Sequence, residues 1–247
     1  MRKFLIIAFV IMLIFLMHND VLGKSKAEFI ESGEVVWNVH TDKKLIALTF
    51  DDGPHPMYTP LILDVLKKHD AKATFFVIGK HAERYPEILQ REMAEGHEIG
   101  NHSYDHRPLR GISKDEFMNQ LELTEMAIEN ATGVRPIFFR SMGGYYDDFT
   151  VDYAAQEGYR TVMWSWHQDS RDWKRPGVNT IVNNVAPGST PGDIVLFHDA
   201  GGNRSETVKA LDRILTELRD DGFEFVTISE LLVYSDYEGI PPELVGL

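Results

Sequence analysis

Cysteine is absent from all 247 residues. Disulfides and thiolate metal sites are therefore excluded, and any bound metal must be held by histidine and carboxylate. Positive charge is scarce: 25 Lys and Arg stand against 38 Asp and Glu, a formal net charge of -13. With no basic patch to neutralise phosphates, nucleic acid and anionic membrane surfaces are disfavoured as partners. No Ser/Gly-rich linker, low-complexity stretch or short-period repeat divides the chain. Long apolar runs are missing too, apart from Phe4 to Met17, which is too short to span a bilayer comfortably. Arg2 and Lys3 precede that run and Gly23 follows it, the layout of a secretory leader over residues 1–23, cleaved after Val21-Leu22-Gly23 or kept as an anchor. Either way the working domain is expected outside the cytoplasm. An exported chain without cysteine suits a bacterial surface better than a eukaryotic secretory route.

What is present supports one domain. Hydrophobic residues make up 43% of the chain, enough for a core. After an arm at 24–43, strand and helix patterns alternate from 44 to 233, and 234–247 form a tail. Strands are predicted at Lys44–Phe50, Ala73–Ile78, Glu98–Asn101, Ile137–Phe139, Tyr159–Trp166, Asp193–Phe197 and Phe223–Val226. Helices are predicted between them, including Tyr58–His69, Pro86–Ala94, Ser113–Ala131 and Glu206–Arg219. The long helix has a capping Ser113 followed by Glu116 at its start and Gly133 just past its end. Such alternation predicts a parallel sheet covered by helices, closed into a barrel of about seven to eight strands, with an open doubly wound sheet as the alternative. In both, ligands bind at the carboxyl ends of the strands.

Titratable side chains collect at those ends. Asp51 and Asp52, His102 and His106, Arg140, Asp169 and Asp172, and His198 each lie just beyond a predicted strand. Singly, each has an ordinary reading: a capping turn, a solvated loop histidine, a strand-end arginine. On one rim they make a site. His102 and His106, four apart on one helical turn, face the same way, and a carboxylate from Asp51-Asp52 completes a His-His-Asp set with a coordination position to spare. Arg140 after three apolar residues calls for a carboxylate partner. His198 beside an acid is suited to proton transfer near neutral pH. A zinc-peptidase motif is disfavoured, because Ser103 stands where His-Glu-x-x-His requires Glu.

Five ordered motifs carry a resemblance. Thr49-Phe50-Asp51-Asp52-Gly53-Pro54, His102-Ser103-Tyr104-Asp105-His106, the segment opening at Arg140, Asp169-Ser170-Arg171-Asp172-Trp173 and Leu196-Phe197-His198 resemble those of the NodB-type polysaccharide deacetylases, carbohydrate esterase family 4, over roughly Lys44 to Leu232. The resemblance implies a distorted (β/α) barrel. It implies a divalent metal, usually zinc with cobalt or nickel tolerated, on Asp52, His102 and His106. It makes Asp51 the general base, Arg140 the residue that holds it, His198 the acid and Asp169 the residue that tunes the acid. Gly143, Tyr145, Trp173 and Leu196 are the expected substrate contacts, with a backbone N–H near Gly143 completing an oxyanion site. One departure stands out: the third motif usually reads Arg-Pro-Pro-Tyr/Phe-Gly, and here it is Arg140-Ser141-Met142-Gly143-Gly144-Tyr145. Losing two prolines and gaining a glycine where an aromatic is common predicts a looser loop and a less aromatic groove floor. The expected activity is removal of N-acetyl groups from N-acetylglucosamine polymers, peptidoglycan first and chitin-type oligomers second, with no stable protein partner. The alternatives are an O-acetyl esterase on xylan and a non-catalytic glycan-binding relative.

Overall fold

The computed structural model describes residues 23–235. The predicted leader up to Leu22 and the tail from Asp236 lie outside the described residues. In chain order the elements are α1 (Lys26–Glu31), β1 (Val35–Val36), β2 (Leu45–Asp51), α2 (Tyr58–Lys68), β3 (Ala73–Val77), α3 (Gly79–Arg84), α4 (Pro86–Ala94), β4 (Glu98–Asn101), α5 (Lys114–Thr132), β5 (Phe138–Phe139), α6 (Asp148–Gln156), β6 (Arg160–Val162), α7 (Val178–Val185), β7 (Ile194–His198), α8 (Ser205–Asp220), β8 (Glu224–Phe225) and α9 (Ile228–Val233). Among the described residues no helix is long and apolar enough to cross a membrane.

All strand pairs are parallel, in the order β1-β6-β5-β4-β3-β2-β7, with β8 pairing β2 separately. The sheet curls, and the expected distorted barrel takes shape from an irregular segment rather than from an eighth regular strand. After Val162 the chain leaves β1, with the Met163 N–H on Val36 O, and runs beside β7: Ser165 N–H donates to Ile194 O, Leu196 N–H to Gln168 O, and Ser170 N–H to Leu196 O. The predicted strand Tyr159–Trp166 is thus regular only over Arg160–Val162.

The strand pleat decides what each residue faces. In β2, Ile46, Leu48 and Phe50 point outward into a core shared with Ile62, Leu63 and Leu66 of α2 and Leu211, Ile214 and Leu215 of α8. Phe50 stacks on Phe75 at 5.1 Å and on Phe197 at 5.5 Å between ring centroids. Leu45, Ala47 and Ile194 belong to a second, inner core, with Phe76, Phe138 and Val162, plugged by Ile228, Leu231 and Leu232 of α9. The inner positions continue up β2 as Thr49 and Asp51, and up β7 as Leu196 and His198. Period two therefore carries a carboxylate and an imidazole to the same end of the same lumen.

The predicted arm is built into this fold. Ser25 and Glu28 form a capping box for α1, Phe29 is buried beside Tyr146 at 5.7 Å, and β1 becomes an edge strand on β6. The short helix α3 was not apparent in the sequence, because Gly79-Lys80-His81 carries no apolar period.

A candidate metal and acid–base centre

Asp51 and Asp52 leave the sheet in opposite ways. Asp51 is the last residue of β2 and points inward. The pleat would send Asp52 outward, but its φ of 79° turns the side chain back over the rim. His102 and His106 follow β4 in a loop, not on the helical turn their spacing suggested. Left-handed backbone at Ser103 (φ 65°) and His106 (φ 58°) brings the two imidazoles together, 5.2 Å between ring centroids.

The Asp52, His102 and His106 ligand atoms all lie within 4.8 Å of one another. Asp52 Oδ1 is 3.1 Å from His106 Nε2 and 3.6 Å from His102 Nε2. His102 Nδ1 donates to Arg140 O at 2.7 Å. That bond fixes the proton on Nδ1 and leaves the Nε2 lone pair aimed at carboxylate oxygens, an arrangement that calls for a cation between them. The donor set fits a divalent metal of the zinc type, and His106, 36% exposed in its side chain, leaves one side open to solvent. Burial opposes ionisation of Asp52, but the two imidazoles outweigh it and hold the carboxyl far below its ordinary range. Burial likewise opposes charge on His102, and Asp51 and Asp52 overcome it, raising its pKa.

Arg140 is fully buried, and each of its nitrogens is engaged. Nη1 donates to Asp51 Oδ1 and to Thr49 Oγ1, both at 2.8 Å, Nε to Val162 O at 3.0 Å and Nη2 to Met163 O at 2.7 Å. Phe76 lies under the guanidinium at 4.0 Å. The carboxylate partner expected for Arg140 is therefore Asp51, held through Oδ1, while Oδ2 faces His102 Nε2 at 3.8 Å. Across the sheet, His198 sits in register with Asp51. Its Nδ1 meets Asp172 Oδ1 at 2.7 Å, and its backbone N–H reaches Asp172 Oδ2 at 2.9 Å. Thr207 donates to the same Oδ2 at 2.9 Å. Burial disfavours the imidazolium, but the Asp172 hydrogen bond and the charges of Asp172, Asp51 and Asp52 push the His198 pKa up to about 9.

Here the structure corrects the sequence assignment. The acid beside His198 is Asp172, not Asp169. Asp169 pairs with Leu196 in a bridge, and its Oδ1 accepts the Arg171 N–H at 2.9 Å. The reason is local: left-handed Arg171 (φ 55°) starts a single 3-10 turn over Asp172–Lys174 that buries Asp172 and turns Trp173 outward, half exposed. The other expected substrate contacts divide. Leu196 is buried in the lumen two residues before His198. Tyr145 packs with the Leu109, Phe117 and Phe139 cluster, and its hydroxyl donates to Asp147 at 2.5 Å. The altered third motif makes a tight turn rather than a loose one: the Gly144 and Tyr145 amides close onto Ser141 and Met142, and Gly143 and Gly144 both have positive φ (62° and 67°). A Cβ on Gly144 would lie 2.5 Å from the Trp164 ring, so this aromatic occupies the space a side chain would need. Thr49, Thr207 and Arg204 were not singled out in the sequence. Arg204 is buried and donates to Ala200 O, Gly201 O and Asp172 O. Its loop has no motif that would mark it.

These features define a class: a parallel α/β barrel whose rim joins an Asp-His-His set able to hold a metal ion to a carboxylate held by arginine and an imidazole held by aspartate. The chain belongs to the polysaccharide deacetylase family, whose model matches residues 38–162. It is 46% identical over 209 residues to a peptidoglycan-N-acetylglucosamine deacetylase of Bacillus cereus, covering 85% of this chain and 98% of that protein. A crystal structure of a peptidoglycan N-acetylglucosamine deacetylase in complex with 4-naphthalen-1-yl-N-oxidanyl-benzamide superposes with a TM-score of 0.81 at 37% identity, covering 87% of this chain and 100% of that one. A family 4 acetyl xylan esterase from Clostridium thermocellum in complex with a cobalt ion superposes with a TM-score of 0.71 at 32% identity, covering 77% of this chain and 91% of that one.

Proposed function

We propose that this protein is a metal-dependent hydrolase that removes N-acetyl groups from N-acetylglucosamine residues of bacterial cell-wall polysaccharide, releasing acetate. Peptidoglycan is the first substrate to test and chitin-type oligomers the second. The observation that carries the reading is the opposed pair of proton-handling groups beside one ligand set: Asp51, with one oxygen held by Arg140, and His198, with one nitrogen held by Asp172. Asp52, His102 and His106 would hold the divalent cation, for which zinc is proposed, with cobalt or nickel accepted. When bound, the cation supplies Lewis acidity toward water and an acyl oxygen.

The residues do the rest. Arg140 neutralises part of the charge on Asp51 and fixes its carboxylate, so Oδ2 is the oxygen left to take a proton from water. Asp172 occupies Nδ1 of His198, so the proton delivered to the leaving nitrogen comes from Nε2. A pKa near 9 keeps that proton in place at neutral pH. Amide hydrolysis needs such an acid because an unprotonated amine leaves poorly. An O-acetyl ester has a better leaving group and needs the acid less, so a site with a strongly held imidazolium favours the amide. The basic start and apolar run at Phe4 to Met17 support placement outside the cytoplasm, secreted or held by an uncleaved segment.

Acetate release from N-acetylglucosamine oligomers and peptidoglycan fragments, compared with acetylated xylan, tests the reading. Release is expected from the N-acetylated glycans. It should be lost with a chelator, be restored by zinc or cobalt, and fall at least about 100-fold in Asp51→Asn, the scale of a general base. Full turnover by metal-free protein would end the proposal, and turnover confined to xylan would move it to the ester.

A further inference from the structure

The two loops that carry the three ligands do not touch each other through regular structure; the turn that opens α3 joins them. On the β2 side, Ile78 N–H donates to Gly53 O at 2.9 Å, and His81 Nδ1 lies 2.8 Å from Asp52 O. A carbonyl only accepts, so that nitrogen carries the proton. On the β4 side, Gly79 N–H donates to Ser103 O at 3.0 Å and Lys80 N–H to Tyr104 O at 2.9 Å. Asp199 N–H completes the set on Asp51 O at 3.1 Å. Consecutive carbonyls of Asp51, Asp52 and Gly53 are thus each held from outside the turn. Asp52 and Ser103 both have left-handed backbone, which side-chain-bearing residues adopt only when the surroundings impose it. Gly79 permits the approach: a Cβ there would sit 2.6 Å from the Tyr104 ring and 3.0 Å from the Thr124 backbone.

Of the three donors on the β2 turn, two are backbone amides that any residue supplies. Only the bond to Asp52, the ligand residue itself, comes from a side chain. We propose that His81 is a positioning residue for the metal centre: its imidazole holds Asp52 in the left-handed conformation that aims the carboxylate at His102 and His106. This inference rests on the reading of Asp52, His102 and His106 as a metal site and adds a residue that touches neither metal nor substrate.

The test is metal affinity, measured as zinc competition against a chromophoric chelator, for wild type, His81→Phe and His81→Leu (no donor) and His81→Asn (a donor kept). A cobalt absorption spectrum and a melting curve of the metal-free protein accompany each. Loss of a group that orients a ligand typically weakens metal binding about 10- to 100-fold. The expected result is a loss of that size in Phe and Leu, a changed cobalt spectrum, most of the affinity regained in Asn, and metal-free melting temperatures close to wild type. Zinc binding in a folded donor-less variant within about threefold of wild type overturns the proposal, and so does an Asn variant as weak as Leu. If neither donor-less protein folds, His81 serves the fold rather than the ion and the proposal is equally overturned. Wild type that takes up no zinc would instead sink the metal site itself, which separates the two failures.

Discussion

Arg140 and Asp172 show how much single side chains settle in this site. Arg140 keeps its charge although fully buried because four oxygens of the protein receive it. Leaving a buried charge unpaired would cost several kcal/mol. Its need for a carboxylate was legible from three apolar neighbours in sequence; which of two adjacent aspartates would answer was settled by the pleat. The choice between Asp169 and Asp172 was not legible, because both lie in one motif three residues apart and a left-handed Arg171 decides which is buried. This gives a pH prediction. An imidazole whose pKa is raised to about 9 holds its proton below that pH and loses it above, so turnover needing His198 as acid should decline above about pH 9. Removing the Asp172 charge removes the largest force opposing burial, so in Asp172→Asn the alkaline limb of kcat should move to lower pH, with kcat at neutral pH reduced. Asp169→Asn should keep the wild-type profile. A pH–rate series on the three proteins checks this.

At the scale of elements, the long apolar and amphipathic stretches were read from sequence to within a residue or two: β2, α4, β4 and α8 match, and Ser113 and Gly133 bound α5 as N-cap and left-handed C-cap. Short elements escaped because two strand residues at Val35–Val36 or six helical ones at Gly79–Arg84 are too few to show a period. The histidine pair was correctly grouped for a wrong reason, since a kinked loop and not a helix brings the rings together. The turn at Met142–Gly144 was expected to loosen without its prolines, yet two glycines and the Trp164 ring shape it. Its two glycines should respond differently to alanine. At Gly143 nothing lies near a new Cβ, so only the positive φ is penalised, about 1–2 kcal/mol. At Gly144 the Trp164 ring must also move, so the loss should be larger, with KM for an oligosaccharide rising more than in Gly143→Ala. Urea melts and kinetics of the two variants measure this.

Across the described residues, distant parts of the chain meet at the site in one curled parallel sheet. The expected domain began at Lys44; Phe29 and Trp37, which precede that boundary, share a cluster with Val151 and Met163 inside it. Met163 in turn presents the carbonyl that receives Arg140 Nη2. Phe29→Ala should therefore cost about 3–5 kcal/mol, as for large aromatic truncations in a core. Because β1 stands next to β6, the loss should also lower turnover. Chemical denaturation and kcat of this one variant would show both. Parallel alternation predicted the architecture; the arm's part in it was hidden because a two-residue edge strand has no signature of its own.

The strand order also fixes a timetable. β2, one strand in from the β7 edge of the sheet, pairs with β7, whose first residue follows its own by about 150 positions, and β1 must wait for Thr161 and Val162. A chain emerging from its amino terminus, from a ribosome or through a pore, can form the β2–β3–β4 stack early, but its first strand has no neighbour until residue 162 is out and β2 has no β7 beside it until residue 198 is out. Nascent chains stopped before that point should stay open to proteases however long they are given, and resistance should arrive in one step with the last third of the polypeptide.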